Sequence, residues 1–126
     1  MKKILSFLLL TAAILFVSPN KSLAQCVDNG GTFYCNSYSD NGSIKTENAT
    51  WATDATVFWV TVSLRANHPT EGYAYAEVTT PNGYWVYMIT QQDTYQDDFS
   101  LPGTTGGYLM LYASSRYGWA DVAASW

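Results

Sequence analysis

Histidine is almost missing from this sequence: His68 is the single one in 126 residues. A serine or cysteine nucleophile needs a base, and that base is most often histidine. His68 lies between Asn67 and Pro69 in a turn-forming stretch, and it reads as an exposed loop imidazole. Cysteine is nearly as scarce, with two residues. A zinc site takes three or four His, Cys or carboxylate ligands, so neither a metal nor any other cofactor is expected. Asp93, Asp97 and Asp98 lack the alternating acidic spacing of a calcium loop and read as solvated loop charge. No catalytic residue stands out, and the chain is read as not an enzyme. Glycoside hydrolysis needs an opposed pair of carboxylates, and among ten acids the sequence does not choose one.

Positive charge is the next shortage. Lys2, Lys3 and Lys21 lie near the N-terminus, which leaves Lys45, Arg65 and Arg116 against ten acids. From residue 25 onward the net charge is −7. Nucleic-acid partners require cations that replace counterions, so they are excluded, and an anionic membrane surface is disfavoured for the same reason.

Long apolar runs are also lacking. The one candidate, Ile4–Val17, is 14 residues long and follows Lys2-Lys3. A spanning helix needs about 20 residues. A positive start, a short apolar centre and the small residues Ser22 and Ala24 define a secretory signal peptide over residues 1–24, bacterial in style. The mature chain, residues 25–126, is expected to be one secreted domain, extracellular or periplasmic, with no membrane span. Leu23-Ala24-Gln25-Cys26 also approaches a bacterial lipoprotein box. Gln25 stands where that box has a small residue, so lipid anchoring through Cys26 is the lesser alternative.

Helical periodicity does not occur either, which leaves no crossover helices and no parallel sheet. What the sequence does hold is period-two alternation broken by turn signals, as in an all-β antiparallel sandwich, immunoglobulin-like or jelly-roll-like, of six to eight strands. The clearest strand is Ala55–Ala66: Phe58, Val60, Val62 and Leu64 share one face, and Trp59, Thr61, Ser63 and Arg65 the other. Tyr73–Thr80 and Tyr84–Thr90 form a hairpin about Thr80-Pro81-Asn82-Gly83. Thr32–Tyr38 alternates, and Ile44–Thr50 reads as a polar edge strand. Gln91–Asp98 reads as a loop, Asp98–Leu101 as a brief strand, and Pro102–Gly107 as a flexible connection. Tyr108–Ser114 and Trp119–Trp126 read as a last hairpin about Ser115–Gly118. Cys26 and Cys35 flank Asn29-Gly30-Gly31, a turn signal, and are expected to form a disulfide that pins the N-terminus.

Tyr75–Gly83, Phe99–Gly103 and Gly107-Tyr108-Leu109 together resemble the second half of small β-sandwich modules appended to secreted bacterial proteases. The likeness covers under half the chain and implies no function.

Aromatic residues are in excess. The mature chain holds ten Tyr, five Trp and three Phe, more than one core absorbs. Trp59 shares its face with polar neighbours, as do Tyr73 and Tyr75 with Glu77. These four are the expected ligand-binding residues of a stacking platform. The expected function is a non-enzymatic binding protein for a glycan or an extracellular protein surface. An antibacterial, bacteriocin-like effector and a hydrolase inhibitor are the alternatives, and the oligomeric state is left open.

Overall fold

A computed structural model describes residues 24–103 and 107–126. Apart from the backbone of Ala24, the expected signal peptide lies outside the described residues. So do residues 104–106 of the expected connection.

Nine strands are described: β1 Ala24–Asp28, β2 Thr32–Ser39, β3 Lys45–Thr53, β4 Val57–Ala66, β5 Tyr73–Thr80, β6 Gly83–Thr90, β7 Asp93–Pro102, β8 Gly107–Arg116 and β9 Gly118–Ser125. They build two sheets, in the orders β1-β2-β9-β4-β7 and β3-β8-β5-β6, hereafter the first and second sheet. Every pairing is antiparallel. With β1 set aside as an added edge, β2-β9-β4-β7 faces β3-β8-β5-β6, which is the strand order of a jelly roll.

The core follows from side-chain alternation. In β4, Phe58, Val60, Val62 and Leu64 are buried and Trp59, Thr61 and Arg65 are exposed. Leu109 and Leu111 of β8 and Val78 of β5 meet them from the second sheet. Each such side chain contributes about 1.5–3 kcal/mol on burial. Ala74 and Ala76 on β5 and Ala120 and Ala124 on β9 supply the small surfaces that let the layers close. Ser37 and Ser115 are buried but satisfied: their hydroxyls bond to each other at 2.9 Å, and Ser37 donates to the Lys45 carbonyl at 2.9 Å.

Cys26 and Cys35 are direct cross-strand partners on β1 and β2 and form the expected disulfide. The β5–β6 hairpin also forms, with Gly83 at φ 142°, a conformation side chains rarely adopt.

Three expectations change. Gln91–Asp98 is not a loop, because β7 begins at Asp93. Its alternation is masked by Asp97, which shares the core-facing parity with Tyr95, Phe99 and Leu101 and accepts from the Tyr95 hydroxyl at 3.1 Å. Asp97 and Asp98 therefore leave the strand on opposite sides. The expected last hairpin is instead an arch. β8 lies in the second sheet and β9 in the first, joined through Tyr117 alone at φ 49°. Gly118 follows because a Cβ there would stand 2.1 Å from the Arg65 carbonyl oxygen of β4. Strand β1 is the third change, a strand where only a pinned terminus was expected, and it brings the number to nine.

Candidate functional site

The outer face of the second sheet carries three of the four expected ligand-binding residues. On β5 the inward positions are the buried Ala74, Ala76 and Val78, which leaves Tyr73, Tyr75, Glu77 and Thr79 facing outward and half-buried. Register sets Glu77 between Tyr112 of β8 and Val86 of β6, and Tyr75 between Ser114 and Met88.

The rings form an ordered group. Tyr73 and Tyr75 lie nearly parallel, 6.3 Å between centroids and 14° between planes. Tyr112 meets Tyr75 edge-on at 5.4 Å and 90°. The Tyr75 hydroxyl donates to Glu77 Oε2 at 2.6 Å, and the Thr79 hydroxyl donates to Glu77 Oε1 at 3.0 Å. The carboxylate is thus aimed by two donors, one on each oxygen. A carboxylate offers about four acceptor sites, so each oxygen keeps capacity for a further donor. Burial among the neighbouring rings raises the Tyr75 pKa far above the ordinary phenol value, and the Glu77 carboxylate adds to the shift. Burial likewise raises Tyr73. Both phenols are protonated at neutral pH, and the Tyr75 proton is the one given to Glu77.

Trp59 does not join this group. It is 65% exposed, as its polar neighbours implied, but it lies on the outer face of the first sheet, on the other side of the sandwich. Register places it between Ser100 and Ser125. The single four-residue platform is therefore divided: β4 and β5 are consecutive in sequence but belong to different sheets.

The first sheet has polar chemistry of its own. An open groove of about 310 Å³ runs between Arg65, Thr94, Gln96 and Trp119. Beside it, Asp121 accepts from the Tyr34 hydroxyl at 3.2 Å, and the Asn36 amide donates to that same hydroxyl at 2.7 Å. Burial raises the Asp121 pKa, and the Tyr34 hydrogen bond partly offsets it. Burial, with the nearby Asp121, raises Tyr34 as well.

Sequence reasoning missed Tyr112 on one face and the Tyr34–Asp121 pair on the other. The signal for Tyr112 was present: Leu109, Leu111 and Ala113 alternate with Tyr108, Met110 and Tyr112 along β8. His68 is half-buried rather than exposed. Its Nδ1 accepts the backbone N–H groups of Thr70 and Glu71 at 3.3 and 3.0 Å, and its ring stacks on Tyr117 at 4.6 Å, so it caps its own loop.

No protein-family model matches this chain, and comparison with curated proteins finds no match.

Proposed function

We propose that this chain is an exported, non-enzymatic binding protein whose tyrosine face takes a neutral glycan. The observation that carries the reading is the Glu77 carboxylate, held between Tyr75 and Thr79 among the rings of Tyr73, Tyr75 and Tyr112. A sugar presents apolar C–H faces and hydroxyl donors together. The rings supply surface for the first, and the free lone pairs of Glu77 accept the second. The Tyr75 oxygen, its one proton given to Glu77, adds an acceptor. A net charge of −7 from residue 25 onward favours a neutral ligand over an anionic one.

Binding fits the face better than hydrolysis. Among the described residues, Glu77 is the only carboxylate at an outward position of this sheet, and hydrolysis calls for two. Export is supported by the disulfide, which also occupies the Cys26 sulfur that a lipid anchor would need.

The test is depletion of residues 25–126 from solution by insoluble neutral polysaccharides such as cellulose, chitin and starch. Binding to at least one is expected. Tyr75→Ala and Glu77→Gln should each weaken it about tenfold, equivalent to 1.4 kcal/mol, while Trp59→Ala leaves it unchanged. No retention by any neutral polysaccharide, or retention that Tyr75→Ala does not weaken, defeats the reading. Killing of competitor bacteria by the same preparation, without glycan retention, favours the antibacterial alternative.

A further inference from the structure

A β-sandwich has four sheet edges, here β1 and β7 in the first sheet and β3 and β6 in the second. An edge strand presents a row of unpaired backbone N–H and C=O groups, and natural proteins guard such rows with charge, proline, shortness or a cover. Three of these edges are guarded. Strand β1 has five residues, is tied to β2 by the disulfide and ends at Asp28. Strand β7 carries Asp93, Asp97, Asp98 and Pro102. Strand β3 carries Lys45 and Glu47 among Thr and Asn residues.

Strand β6 has none of these guards. Gly83-Tyr84-Trp85-Val86-Tyr87-Met88-Ile89-Thr90 contains no charge and no proline, and it pairs only with β5. Its outward side chains, Tyr84, Val86 and Met88, are 71%, 45% and 59% exposed. Such a strand, apolar on both faces and open along its edge, is built to receive another strand.

We infer that β6 pairs antiparallel with β6 of a second copy of this chain, giving a closed dimer with one continuous eight-stranded sheet. Charge selects this edge: each copy carries −7 from residue 25 onward, and among the described edge strands β6 alone carries no charged side chain. The sequence is also self-complementary there. With the two-fold axis at Val86, Tyr84 faces Met88 of the partner subunit, and Trp85 faces Tyr87 of the partner subunit. Thioether–ring and ring–ring pairs are both favourable across strands. Because each copy offers one unguarded edge among the described strands, an isologous pair uses it up, and assembly stops at two rather than running into a filament. The pairing stands whether or not the tyrosine face binds a glycan. Where both hold, two Tyr75–Glu77 groups share one face.

Sedimentation velocity on residues 25–126 over a dilution series tests this without any ligand. A concentration-dependent monomer–dimer equilibrium is expected. Val86→Lys should keep the wild-type circular dichroism and melt but raise the dimer dissociation constant about tenfold or more. Met88→Lys serves the same purpose if Val86→Lys fails to fold. Thr50→Lys, on the opposite edge of the same sheet, should leave the dimer intact. A monomer at every concentration, a dimer that both β6 variants leave unchanged, or open-ended growth without a dimer endpoint overturns the inference.

Discussion

The phenol of Tyr75 and the carboxylate of Glu77, two residues apart on one side of β5, share a 2.6 Å hydrogen bond. Burial and this carboxylate together disfavour the phenolate, so Tyr75 loses its proton well above the ordinary phenol value. The neutral phenol therefore stabilises the folded chain below about pH 10, and that contribution fades as pH rises through the raised folded value. Tyrosinate absorbance should show at least one phenol titrating late. Glu77→Gln should move that phenol toward the ordinary range without lowering the neutral-pH melt by more than a few degrees. A wild-type titration with every phenol ionising near pH 10 removes the basis for this arrangement.

Phe58 and Trp59 are consecutive on β4, one buried and the other 65% exposed. Phe58→Ala should cost about 3–5 kcal/mol, as truncation of a core aromatic does. Trp59→Ala should shift the melt by no more than about 2–4 °C, since a surface substitution usually stays within about 0.5 kcal/mol. Thermal denaturation of the two variants measures the contrast directly. A loss near 3 kcal/mol for Trp59→Ala means that the ring is structural.

How far the sequence reaches depends on whether a feature is local. The faces of β4 and β5 were legible, because alternation within a strand needs no knowledge of neighbours. So was the β5–β6 hairpin, set by Pro81-Asn82-Gly83, and so was the disulfide. The sheet to which each strand belongs was not legible, since pairing with distant strands decides it. That is why Trp59 seemed to share a face with Tyr75, and why β8 and β9 looked like a hairpin. A one-residue arch at Tyr117 leaves the same Tyr-Gly mark as a tight turn. Strand β7 was hidden by chemistry: an edge strand tolerates Asp97 on its core-facing parity, where the Tyr95 hydroxyl partners it.

Cys26 and Cys35 are separated by nine positions and close the β1–β2 hairpin. A loop of that length corresponds to about 2–3 kcal/mol in the chain-entropy model. For a domain near this size each kcal/mol shifts the melt by about 4–8 °C. Replacing both cysteines with Ala, or melting under reductant, should lower the midpoint by roughly 10 °C or more while the far-UV spectrum stays strand-like. An unchanged midpoint means that β1 contributes nothing through its bridge.

Asp121 points outward from β9, with Ser63 of β4 on one side and Asn36 of β2 on the other. Burial raises its pKa above the ordinary carboxylate value, and the Tyr34 hydroxyl, donating at 3.2 Å, offsets only part of that. The folded chain therefore holds this proton to a higher pH than the unfolded chain does. The stability gained from the protonated form is complete below about pH 4 and is lost as pH rises through the raised folded value. At neutral pH the ionised side chain is a net burden that its hydrogen bond does not remove. Asp121→Asn cannot ionise and keeps a carbonyl oxygen to accept from Tyr34. Its melting point at pH 7 should stand at or above wild type by up to a few degrees. At low pH that advantage should disappear, because wild type is then neutral at this position too. Melts of both proteins between pH 3 and pH 8 give the comparison. A variant less stable than wild type by the same margin at every pH would show that the Tyr34–Asp121 geometry, rather than the charge, governs this position.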